Sequence, residues 1–194
     1  MPALDKIYRK TLCLQDYHLS EGNCRGLAAA CDRLDNQVVN KMLISNCGLN
    51  DATVSIILQG VQKIKDFKAL TYCRQAMGSE AVSLLAPLIA RPIPFNLEEL
   101  VLVDTKMSAT AVEQLADALI KNDSRIKKFT LVDVQHSDKS FRRLTDYVAA
   151  ASSVLEELDV SWSMVRPQQM LTLLQVLESN RNLTSLSLAH NVLL

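Results

Sequence analysis

The sequence predicts an α/β solenoid: a curved stack of about seven β-α repeats, with a concave parallel sheet inside and convex helices outside, in a horseshoe arc. Three observations carry this. A short apolar strand pattern recurs at a nearly fixed period through all 194 residues. An amphipathic helical stripe follows each of the first six strand patterns, and a residue suited to starting a helix lies at one fixed offset between them.

The strand pattern is clearest in Leu97-Glu-Glu-Leu100-Val-Leu102, Ile126-Lys-Lys-Phe129-Thr-Leu131, Leu155-Glu-Glu-Leu158-Asp-Val160 and Leu183-Thr-Ser-Leu186-Ser-Leu188. Val39-Asn-Lys-Met42-Leu-Ile44 and Phe67-Lys-Ala-Leu70-Thr-Tyr72 fit with substitutions, and Leu12-Cys-Leu14 keeps the final pair. The central residues 12, 42, 70, 100, 129, 158 and 186 are spaced by 30, 28, 30, 29, 29 and 28. Seven matches in register are far beyond coincidence, and they define one domain over 1–194. Repeat 7 stops at Asn191-Val-Leu-Leu194, where its helix should begin, so the chain is expected to continue beyond 194 and supply the cap that solenoids need.

Between the strands, offsets +12, +15, +16 and +19 from each central residue hold apolar or small residues, for example Val54/Ile57/Leu58/Val61 and Val112/Leu115/Ala116/Leu119. Steps of three and four put these on one helix face. Offset +8 reads Ser20, Asn50, Gly78, Ser108, Ser137 and Arg166. Five are accepted N-caps, and Arg166 precedes Pro167, which suits a first helical position. Thr110-Ala-Val-Glu113 offers an alternative capping box one turn further in. Parallel strands joined by helical crossovers then bury strand and helix stripes in one core, and wide helices outside narrow strand spacing curve the stack.

These motifs resemble the leucine-rich repeats of the ribonuclease-inhibitor-like type, over essentially residues 7–194. The resemblance implies a polar Asn or Cys three positions after the last strand leucine, satisfying turn backbone groups. Here that column reads Tyr17, Cys47, Gln75, Thr105, Val134, Ser163 and Asn191, so irregular turns are expected in repeats 3 and 5. It further implies roles in protein binding: cytoskeletal, axonemal (cilium) or other scaffolds, immune sensing, or regulation of small GTPases.

Composition narrows the function. Leucine makes up 31 of 194 residues, and 21 Lys+Arg balance 21 Asp+Glu. That leaves no basic excess for nucleic acid or an anionic membrane. Met1–Lys10 lacks the apolar stretch of a signal peptide, no apolar run is long enough to span a membrane, and five unpaired-looking cysteines suit a reducing compartment. The expectation is a cytoplasmic protein. Neither a glycine-rich phosphate loop nor a His/Cys metal spacing occurs, so no enzyme activity, cofactor, metal or small-molecule substrate is expected. His136 replaces the apolar residue of other repeats (Leu19, Leu49, Met77, Met107, Val165) and reads as a partly buried structural histidine.

The partner is expected to be a protein, held on the concave face and its loop rim. Offsets −1, +1 and +3 face away from the core, and +4 forms the rim: Asp16, Asn46, Arg74, Asp104, Asp133, Trp162 and His190. Val101, Val103 and Val132 make an apolar strip, Asp104, Asp133 and Asp159 an acidic edge, and Trp162 follows along the rim. Aromatic anchors ringed by charge suit an interface, here for a basic surface with an aliphatic knob. An alternative is a regulator of a small GTPase, of the GTPase-activating type, acting through rim residues Asn46 and Arg74. On the helical side, Ile56 and Leu84 are read as packing between neighbouring helices rather than as a docking surface.

Overall fold

The computed structural model describes residues 7–8, 10–33, 39–151 and 154–192. The strands are β1 (Ile7–Tyr8), β2 (Thr11–Gln15), β3 (Lys41–Ser45), β4 (Ala69–Ala76), β5 (Glu99–Lys106), β6 (Lys128–Val132), β7 (Glu157–Asp159) and β8 (Ser185–Ser187). The helices are α1 (Glu21–Cys31), α2 (Asp51–Val61), α3 (Ser79–Ile89), α4 (Ala109–Lys121), α5 (Asp138–Ala150) and α6 (Pro167–Leu177). One sheet holds all the strands in chain order. From β2 to β8 every pairing is parallel, and β1 adds an antiparallel edge that the repeat pattern did not foresee.

Register follows the repeat. Leu12, Met42, Leu70, Leu100, Phe129, Leu158 and Leu186 lie opposite one another across the sheet. Because side chains alternate across a strand, this alignment keeps every apolar pair on the helix-covered face. Strand and helix stripes form one core from Leu12 to Leu173, including fully buried Tyr72, Phe129 and Tyr147. Consecutive helices also touch: Gly60 lies so close to Ala28 of α1 that a Cβ there would strike its backbone. Ile56 and Leu84 pack against the core from its margin, as expected. At the far end, Leu174 and Leu186 remain 42% and 40% exposed, whereas the residues matching Leu186 in earlier repeats are 0–1% exposed.

All six helices start after the expected cap. Ser20, Asn50, Ser108 and Ser137 accept from the backbone N–H three residues on, and Arg166 N–H is held by Gln169 Oε1 at 2.9 Å. The alternative start at Thr110 does not occur: Ser108 caps α4, and Glu113 instead pairs with Lys139 of α5 at 2.6 Å. Gly78 has no side chain to offer, and the previous repeat supplies one. Asp51 Oδ1 accepts from Gly78 N at 2.8 Å and Ala81 N at 3.1 Å, and Asp51 Oδ2 accepts from Glu80 N at 3.3 Å. A Cβ on residue 78 would strike that carboxylate.

The turn column is better satisfied than its sequence suggested. Gln75 Oε1 accepts from Cys47 N and Leu49 N at 3.1 and 3.0 Å, and Asn191 Oδ1 accepts from Ser163 N and Val165 N at 3.1 Å each. The Cys47 thiol donates to Leu14 O and Ser45 O, and the hydroxyls of Thr105 and Ser163 donate to strand carbonyls in the same manner. Repeats 3 and 4 differ in strand length: β4 and β5 run on together through Gln75–Thr105 and Ala76–Lys106, while β6 ends at Val132. With Val134 in the column, repeat 5 has no polar side chain of its own and leans on Ser163 Oγ, which accepts from Val134 N at 3.5 Å.

Candidate functional site on the open sheet face and rim

The chain leaves each strand through a left-handed residue. All seven rim positions have positive φ: Asp16 57°, Asn46 50°, Arg74 57°, Asp104 49°, Asp133 55°, Trp162 59° and His190 57°. Asn and Asp reach this region cheaply because a short polar side chain bonds locally; Arg, Trp and His do so at a cost of order 1 kcal/mol each. Repeat 6 goes further. Met164 is also left-handed at 52°, at the offset where repeat 2 has Gly48 at 69°. Trp162 and Met164 are 55% and 64% exposed, while Ser163 between them is buried and ties the turn to the core. Met164 shows no polarity or pattern break in the sequence; Gly48 in the same column is the signal that marks it.

Trp162 does not fold back into the core. Its ring stacks on His190 of the next repeat, with centroids 3.8 Å apart and planes at 18°. The pair forms an aromatic ledge at the end of the rim. Asp104 and Asp133, the two preceding rim positions, are exposed, and their carboxylates have no hydrogen-bond or ion-pair partner among the described residues. With Thr105, Lys106, Met107, Ser108 and Gln135 they line a cleft of about 510 Å³. At the other end of the rim, Asn46 Nδ2 donates to Asp16 Oδ1 at 2.8 Å, so those two side chains hold each other.

The expected apolar strip is present: Val101, Val103 and Val132 are half-buried on the uncovered face, with Val103 directly opposite Val132. Cys73 lies opposite Val103 on the other side and extends the strip by one strand. Asp159 does not belong to the acidic edge. It is half-buried on the sheet face at the end of β7, and its Oδ1 accepts from Ser161 N at 2.9 Å and Ser161 Oγ at 2.6 Å. That carboxylate shapes the turn that presents Trp162.

Elsewhere on this face, charge is paired internally. Lys41 reaches Glu99 at 2.8 Å and Lys128 reaches Glu157 at 2.9 Å. The hydrogen bond to Glu157 raises the Lys128 ammonium above its usual range against a smaller opposing effect of burial. Glu98 sits between Lys68 at 3.0 Å and Lys127 at 3.3 Å. Burial pushes its carboxyl up, but hydrogen bonds and charge from both lysines outweigh that and hold it below the ordinary carboxylate range.

His136 is structural in its surroundings. Its ring meets Phe141 edge-on at 5.5 Å, neither nitrogen has a hydrogen-bond partner among the described residues, and burial pulls its pKa down to about 4. Burial likewise pushes the Cys31 thiol up to about 11, leaving it protonated and inert. No group of three or more potential metal ligands occurs among the described residues, and none of their helices is long and apolar enough to cross a membrane.

Comparison with known proteins agrees with the repeat. No family model matches the chain. It is 25% identical, over 170 residues, to "NACHT, LRR and PYD domains-containing protein 14" of Mus musculus, a match covering 87% of this chain and 17% of that protein. The chain thus spans about a sixth of the length of this relative, and the match, with strand and helix alternating at the sequence period, supports repeats of the leucine-rich type.

Proposed function

We propose that this chain is a non-enzymatic protein-interaction module that binds a protein partner through the rim and adjoining sheet face of repeats 4 to 6. The observation that supports it most is the Trp162 turn. A bulky aromatic residue and an exposed methionine occupy backbone conformations that favour Gly or Asn, next to two carboxylates with no partner. Stability alone would select otherwise at these positions, and strain retained at a surface turn points to use of that surface. A relative whose name carries leucine-rich repeats is compatible with this role. The GTPase-regulator reading has less behind it, because the amide of Asn46 is engaged by Asp16.

The test is Trp162→Asn combined with Asp133→Asn, both of which suit a left-handed residue. The combination removes ring and charge while relieving about 1 kcal/mol of backbone cost, offset in part by the lost stacking on His190. Thermal unfolding is therefore expected to stay within a few degrees of the parent, while capture of the native partner is lost. Undiminished capture by the double variant would place the binding surface elsewhere.

A further inference from the structure

We infer that the occupant of this rim is a basic amphipathic helix of the partner protein, lying across the strands of repeats 4 to 6; the inference rests on the interaction-surface reading above. Charge comes first. The lysines and glutamates at the other end of the strands neutralise one another, and the helical face is laced by Lys63–Asp32, Lys139–Glu113 and Arg143–Asp117 pairs between successive helices. Asp104 and Asp133 are adjacent carboxylates with no ion pair among the described residues, and with Lys106 as the one cation lining their cleft, its charge is net negative. They flank an apolar floor of Val103 and Val132, which a purely ionic ligand would leave wet. The complement is a segment with two cationic side chains beside a run of apolar ones.

Pitch then selects the conformation. Successive rim residues follow from hydrogen-bonded parallel strands that lie about 4.8 Å apart. On a helix, side chains at i, i+3, i+7 and i+10 share a face and advance by about 4.5 to 6 Å a step at 1.5 Å per residue. Over the two strand steps from repeat 4 to repeat 6 the helix covers about 10.5 Å against about 9.6 Å for the sheet. An extended segment repeats its face every two residues, about 6.7 Å, and overshoots the sheet by about 4 Å over the same two steps. A helix therefore sets one turn over each repeat: cations against Asp104 and Asp133, apolar residues on Val103 and Val132, and its end against the free face of the Trp162 ring, where an Arg would stack.

The experiment uses peptides of defined shape and charge. A roughly 14-residue Leu/Lys/Arg peptide, side-chain-bridged to hold it helical, is compared with a proline-interrupted version and with one carrying Glu in place of its cations. Binding is read by fluorescence anisotropy. The bridged basic peptide should bind at least about tenfold more tightly than either control and weaken as salt is raised. Its affinity should fall about tenfold with Asp104→Asn/Asp133→Asn and stay unchanged with Arg142→Ala on the helical side. Equal binding of the proline version overturns the helix, equal binding of the Glu version overturns the charge argument, and no binding at millimolar peptide overturns both. Any of these, alongside partner capture that still depends on Trp162 and Asp133, would leave the interaction surface standing while removing its assignment to a basic helix.

Discussion

His136 shows how one residue reports on its repeat. Its column is otherwise Leu, Met or Val, and the imidazole sits there without a hydrogen bond, neutral and pressed against Phe141. With a folded pKa of about 4, it refuses the proton that the unfolded chain accepts near its ordinary value of about 6.5. Between those limits the unfolded state binds more protons, so stability falls as pH drops from about 6.5 to about 4, by up to about 3 kcal/mol from this group. His136→Met, the residue of repeats 3 and 4, should raise stability at pH 7 by about 1 kcal/mol and flatten that acid limb in urea unfolding. An unchanged acid limb would show that the imidazole reaches water or a partner. The sequence exposed this histidine because its column was otherwise apolar. Met164 is harder to see, because its oddity lies in φ and not in polarity, and Gly48 in the same column is its only sequence signal.

At the scale of elements, each repeat completes its neighbour. Gln75 serves the turn of repeat 2, Asn191 that of repeat 6, and Asp51 caps the helix of repeat 3 in place of the side chain Gly78 lacks. Such exchange explains why strand centres and helix starts were legible in the sequence while turn details were not. Periodicity and capping are properties of one repeat, but a carboxylate borrowed from the previous repeat, or the joint extension of β4 and β5, exists only once repeats are stacked. Asp159 is a different case: its carboxylate is taken up within its own repeat by Ser161, two residues on. The borrowed cap makes a double-mutant prediction. Asp51→Ala and Gly78→Ala should each cost about 1–2 kcal/mol and lower amide protection in the first turn of α3. Together they should cost little more than Asp51→Ala alone, since the added methyl then meets no carboxylate. Additive losses would mean that the two residues act independently.

For the whole molecule, the two sides of the sheet divide the labour. One side is a continuous apolar seam that joins strands to helices, and the other is a surface on which most charges are already matched. Repeats 4 to 7 add to that surface two carboxylates without an ion pair, a valine strip and a stacked Trp–His ledge. The most direct test is photo-crosslinking from single sites in the native setting. A benzophenone side chain at Val132, on the sheet face, should become covalently attached to the partner protein, while the same group at Arg142, on the exposed side of α5, should not. Crosslinks that form from Arg142 and not from Val132 would contradict the account.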